Sequence, residues 1–177
     1  KGEIRAYSKE NEGSCFIFCI PVEVVHERTH DFEVLKEKIS KKKLTSMLVD
    51  DITFNHTILR GFFDQLCIGV LDIAVNGLEA CQKYAQRITK RDRPHIITMD
   101  LDMPIMDGKE ATRKIRQLEV DNNLEPCFLF IISGNCTESE FNDCLDKSGK
   151  IRANAFLRKP VSIEDLVRTL GSHLVDL

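Results

Sequence analysis

The residues best suited to chemistry in this 177-residue chain are acidic, and they follow apolar runs. Asp50-Asp51 comes after Thr45–Val49, and Asp100-Leu101-Asp102 comes after Ile96–Met99. Ser133-Gly134-Asn135 closes Phe128–Ile132, and Arg158-Lys159-Pro160 closes Ala155–Leu157. Two carboxylates about 5 Å apart at an effective dielectric near 20 repel by roughly 3 kcal/mol. If Asp50, Asp51 and Asp100 crowd together, the sum is on the order of 10 kcal/mol, comparable to a domain's whole stability. One ammonium from Lys159 offsets part of that, and a proton or a divalent cation must settle the rest. Carboxylate oxygens with a backbone carbonyl and water are the ligand set Mg²⁺ prefers, so a Mg²⁺ (or Mn²⁺) site is expected here. A carboxylate beside Mg²⁺, a lysine and a hydroxyl suits phosphoryl transfer onto itself. Asp100 attacks phosphorus as the nucleophile. Mg²⁺ and Lys159 would neutralise the equatorial oxygens, and Ser133 would donate a hydrogen bond to one of them. The product carries about two negative charges and draws Ser133 and Lys159, with their loops, toward it.

Those residues need a scaffold that brings strand ends to one edge. Thr45–Val49, Leu71–Val75, Ile96–Met99, Phe128–Ile132 and Ala155–Leu157 read as strands. Their apolar runs are mostly continuous, as in strands covered on both faces. Helical patterns lie between and after them, near 54–66, 77–88, 108–119, 138–147 and 162–175. Asn76 before Gly77-Leu78-Glu79 and Ser162 before Ile163-Glu164-Asp165 have the character of helix N-caps. Five strands alternating with five helices predict a parallel α/β sandwich, in which function gathers at the carboxyl ends of the strands.

Two further segments precede this pattern. Residues 1–23 hold two strand-like stretches, Glu3–Tyr7 and Ser14–Ile20, joined by polar residues, which predicts a β-hairpin. A lone hairpin is marginal in water, so it should need a larger sheet to join. Residues 24–43 are charged; Phe32, Leu35 and Ile39 at spacings of three and four, with Asp31 ahead of them, predict a partly helical linker.

Composition narrows the functions further. The chain is 42% hydrophobic and 30% charged with a net charge of -3, so it is globular and has no electrostatic pull toward nucleic acid or an anionic membrane. Lys41-Lys42-Lys43 is short enough to be solvated linker. No apolar stretch reaches the roughly 18 residues a bilayer span requires. Seven cysteines without a Cys-x-x-Cys pair give neither a zinc knuckle nor a redox motif, and they read as reduced thiols in a cytoplasmic protein. His26 and His30 have the i, i+4 spacing of a helical metal pair, but without a third ligand nearby they read as surface residues.

Residues 44–177 resemble the receiver domain of two-component signalling. The resemblance rests on Met99–Gly108, on Val49-Asp50-Asp51, on Asn76–Ala80 and on Ala153–Pro160. It implies a flavodoxin-like five-stranded parallel sheet of order 2-1-3-4-5 with helices on both faces. It also implies Asp100 as phospho-acceptor and metal residue, Asp51 as direct metal ligand and Asp50 as a metal residue acting through water. The backbone carbonyl of Asp102 completes the ligands, while Ser133 and Phe156 take the two switch positions. Ile52 departs from the Asn that many receivers carry after the acidic pair, and the acidic Asp102 bears on the lifetime of the phosphorylated state. Residues 1–23, with Lys1–Ile4 and Gly13–Pro21, resemble the last two strands of a histidine-kinase ATP-binding domain. The order then resembles a hybrid histidine kinase, whether or not the parent chain is membrane-anchored. The ATP-binding boxes are absent from this stretch, which by itself should not be a kinase. The implied partners are a phosphohistidine donor and a histidine phosphotransfer protein, with no nucleic acid and no membrane contact.

Two other functions compete. A haloacid-dehalogenase-like phosphatase also uses Asp-x-Asp with a Lys and an acidic pair, but there the pair follows the Lys, whereas Asp50-Asp51 comes first here. A degenerate receiver acting as a non-phosphorylated binding module would lack suitable residues at the site, and all five positions are suitably filled.

Overall fold

The computed structural model describes residues 2–21, 30–134, 136–146, 149 and 151–174. Strands β1 (Glu3–Lys9) and β2 (Gly13–Cys19) form the expected antiparallel hairpin, in which Ile4 pairs with Phe18 and Ala6 with Phe16. Every residue of both strands is exposed. Helix α1 (His30–Lys41) follows; residues 24–29 of the charged segment, including His26 of the histidine pair, lie outside the described residues.

From there strand and helix alternate as β3 (Thr45–Val49), α2 (Thr53–Gln65), β4 (Gly69–Ala74), α3 (Gly77–Lys90), β5 (Ile96–Asp100), α4 (Gly108–Asp121), β6 (Phe128–Ser133), α5 (Glu138–Leu145), β7 (Ala155–Arg158) and α6 (Ile163–Leu174). The five later strands make one parallel sheet in the order β4-β3-β5-β6-β7, the flavodoxin-like arrangement. Strand β4 begins two residues before its apolar run, because the Gly69 N–H donates to the Leu44 carbonyl at 2.9 Å and extends the ladder.

Alternation along the strands supplies two cores. Met47, Val49, Ile97, Met99, Leu129 and Ile131 face Ala80 and Tyr84 of α3 and Ala111 and Ile115 of α4. Leu48, Ile96, Phe130 and Ile132 face Leu59 and Phe63 of α2 and Leu166, Val167 and Leu170 of α6. Cys81, Cys127 and Cys144 are buried as small hydrophobes, and all seven cysteines are free.

Helix α1 is more than a tether. Its apolar stripe seats Phe32 and Ile39 in the second core, and it packs along α6. Asn76 caps α3 by accepting from the Glu79 N–H at 2.9 Å, and the Ser162 hydroxyl caps α6 by accepting from the Asp165 N–H at 3.1 Å. No helix among the described residues is long and apolar enough to cross a membrane.

Candidate functional site

Each strand end delivers a polar residue because the parallel register fixes where the apolar run stops. Asp50 follows β3 and keeps its own N–H on the Ala74 carbonyl at 3.1 Å, while Asp100 is the last residue of β5. Asp50, Asp51 and Asp100 each offer a carboxylate oxygen, and these oxygens lie within 4.8 Å of one another. Asp50 and Asp100 are buried, whereas Asp51 is exposed.

Lys159 reaches between the two buried acids. Its ammonium donates to Asp50 Oδ2 at 2.8 Å and to Asp100 Oδ2 at 2.7 Å. Burial pushes the Asp100 carboxyl above its ordinary range; Lys159 pulls it partly back, and the Asp50 charge adds to the rise. Burial alone would lower Lys159, but its bonds to Asp100 and Asp50 outweigh that and raise it. The cluster therefore holds an ammonium and leaves an uncompensated excess of negative charge, which a divalent cation fits by charge and by donor type.

A tight loop joins Asp100 at the end of β5 to α4. The Gly108 N–H donates to the Leu101 carbonyl, and the Gly77 N–H donates to the Met106 carbonyl, both at 3.0 Å. A Cβ at Gly108 would sit 1.9 Å from the Asp100 carbonyl oxygen, so only glycine permits this closure. Asp107 caps α4 by accepting the Glu110 N–H at 2.7 Å.

The remaining expected site residues are placed as follows. Ser133 is fully buried at the end of β6, where its carbonyl accepts the Lys159 N–H at 3.0 Å. Asn135, two residues on, lies outside the described residues. Phe156 pairs with Ile131 and meets Phe141 of α5 edge-on, with ring centroids 5.2 Å apart. Asp102 is exposed two residues beyond β5.

One participant was not anticipated from the sequence. Asn55, in the first turn of α2, places its amide nitrogen 2.9 Å from both oxygens of Asp50. An Asn four residues past an acidic pair is the only sequence signal for it, and such a residue reads equally well as helix surface.

Beside the acids lies a cavity of about 450 Å³. Asp50 and Lys159 border it, with Phe54, Ile58, Pro160 and Val161 as apolar lining.

The family model for the response regulator receiver domain matches residues 47–171. The chain belongs to the receiver family. This receiver is 26% identical over 144 residues to the peroxide stress-activated histidine kinase mak1 of Schizosaccharomyces pombe, covering 79% of the chain and 8% of that kinase. The chain thus spans under a tenth of the length of that relative. Two solved structures share its fold. One is the receiver domain of a sensor histidine kinase from Pseudomonas aeruginosa with a magnesium ion in its active-site cleft. It is 26% identical with a TM-score of 0.59, covering 73% of this chain and 95% of that one. The other is the receiver domain of a Saccharomyces cerevisiae response regulator crystallised with a histidine phosphotransfer signaling protein. It is 27% identical with a TM-score of 0.58, covering 70% of this chain and 83% of that one. As a receiver, the chain is a component of two-component phosphorelay signalling.

Proposed function

We propose that Asp100 accepts a phosphoryl group from a phosphohistidine in a Mg²⁺-dependent reaction. The observation that carries this reading is Lys159, held between Asp50 and Asp100 in a pocket where three carboxylates converge. An Asp100 carboxylate oxygen attacks phosphorus as the P–N bond to the donor imidazole breaks, and the imidazole leaves and takes up a proton. Asp51, Asp100 and the Asp102 carbonyl would hold the metal, with Asp50 acting through water. Mg²⁺ supplies charge neutralisation on the phosphoryl oxygens. Lys159 adds a second positive contact, and Ser133 donates a hydrogen bond.

The apolar cavity bordering Asp50 and Lys159 supports a protein rather than a small metabolite as donor or recipient. Phe54, 69% exposed, stands at its lip, and a helix carrying the phosphohistidine could bury it there. Movement of Ser133 toward the new phosphate would free space for Phe156, whose contact with Phe141 passes the change to α5. Residues 1–23 complete the ATP-binding domain of a hybrid histidine kinase, 24–43 connect it, and 44–177 are the receiver. Free thiols throughout suit the reducing cytoplasm.

Intact mass after incubation with acetyl phosphate and Mg²⁺ tests the central step. The expected result is a gain of one phosphoryl group that requires the metal and is absent in Asp100→Asn. No gain at high donor concentration would defeat the reading and favour a non-phosphorylated binding module.

A further inference from the structure

The Asp50 carboxylate is held by three donor groups. Its Oδ1 accepts the Ile52 N–H at 2.9 Å and the Asn55 amide at 2.9 Å. Its Oδ2 accepts the same amide at 2.9 Å and the Lys159 ammonium at 2.8 Å. The Asn55 nitrogen is equidistant from both oxygens, so one amide N–H bridges the carboxylate. Asn55 supplies two of these four contacts from a single nitrogen. Helix capping does not explain them, because the N-terminus of α2 begins at Ile52 without any side-chain cap, and the Ile52 N–H is itself taken by Asp50.

We propose that Asn55 is a positioning residue for metal binding, clamping Asp50 so that its charge faces the site in one fixed orientation. Resting on the proposed metal-dependent phosphorylation, this assigns two consequences to the clamp. Asp50, held by the bridging amide and by Lys159, acts on the cation through water in the outer shell, leaving inner positions to the exposed Asp51 and to Asp100. Lys159 stays shared, because Asp50 does not need to draw it away from Asp100. Without Asn55 nothing bridges the two Asp50 oxygens; the carboxylate can rotate toward the cation or take Lys159 for itself, and either disturbs the site. Outer-shell partners of metal ligands commonly govern affinity by about 10- to 100-fold when removed.

Calorimetric titration of the full chain with MgCl₂ tests this, using Asn55→Leu and Asn55→Ser beside the parent, with urea midpoints recorded for each. Leu has similar volume and no donor, and Ser keeps one hydroxyl donor. Expected is about tenfold weaker Mg²⁺ binding for Asn55→Leu and an intermediate loss for Asn55→Ser, with slower acetyl phosphate labelling persisting at saturating metal. A magnesium affinity within twofold of the parent in Asn55→Leu, with only the urea midpoint lowered, would overturn the proposal and leave Asn55 a fold residue. If Asn55→Leu does not fold, parent-like affinity in Asn55→Ser has the same meaning. A parent chain that takes up no Mg²⁺ overturns the phosphorylation reading itself and this inference with it.

Discussion

At the scale of single residues, the site trades stability for reactivity. Asp100 is buried beside Asp50 with one shared ammonium, and its carboxyl is raised above the ordinary range. A raised acid binds more protons folded than unfolded, so its ionisation opposes folding. The sign is therefore fixed: stability from this group is greatest below the unfolded carboxyl value and is lost as pH climbs through the folded one. Without metal, Asp100→Asn should raise the urea midpoint at pH 7, and the gain should vanish as pH falls below about 4. Midpoints measured with chelator across that range check it; a lower midpoint at pH 7 would mean that the Lys159 bond to Asp100 outweighs burial. Bound Mg²⁺ should reverse the order, since only the parent has the charge to hold it. Asp50, Asp51, Asp100 and Lys159 could be singled out in the sequence because each lies within two residues of the end of an apolar run whose neighbours in the sheet are also apolar. Asn55 could not, because its role depends on a helix turn bringing it back over Asp50, and spacing alone gives no direction.

At the scale of elements, a second polar centre lies at the opposite end of the sheet. Arg116 of α4 donates to Glu119 Oε2 at 2.7 Å, to the Cys127 carbonyl at 3.0 Å and to Asn154 Oδ1 at 2.8 Å. Glu119 Oε1 accepts from the Tyr84 hydroxyl at 2.8 Å and from the Cys127 N–H at 2.7 Å. These bonds tie α3, α4, the start of β6 and the approach to β7 together, and burial of Tyr84 and Cys127 keeps both protonated, with the thiol pushed up to about 12. Removing one partner of a buried, saturated pair strands the other, so Arg116→Ala should cost about 3–5 kcal/mol in urea unfolding. Magnesium affinity should not change, because the acids sit at the other sheet edge. A loss under about 1 kcal/mol would show that water replaces the guanidinium there. In the sequence Arg116 and Glu119 look like an ordinary i, i+3 surface pair, since nothing in their spacing announces burial. Helix α1 is legible as a helix from Phe32, Leu35 and Ile39, but its charges give no sign of the partner, and those three apolar positions dock it on α6 and the second core. The parallel strands were easier, because runs apolar on both faces allow few other placements.

At the scale of the whole molecule, the parts differ in how their apolar surface is covered. The receiver sheet is enclosed on both faces by two cores, while the hairpin exposes Ile4, Phe16 and Phe18, each about 68–70% accessible, along one face. Its other face mixes Tyr7, Cys15, Ile17 and Cys19 with the charged Glu3, Arg5 and Lys9, so the apolar surface is concentrated on the first face. A two-stranded ribbon of this kind is marginal alone and gains by meeting more sheet, which agrees with the proposal that it completes a kinase domain. Uncovered, the same surface should promote self-association. Residues 30–177, which retain α1 and both cores, should therefore unfold at the same urea concentration as the full chain and remain monomeric in light scattering where the full chain associates. The cut must fall before α1, because Phe32 and Ile39 belong to the second core and their loss would uncover it. A midpoint that drops in residues 30–177 would show that the hairpin packs on the receiver. A full chain that stays monomeric would show that the exposed face of Ile4, Phe16 and Phe18 is not adhesive.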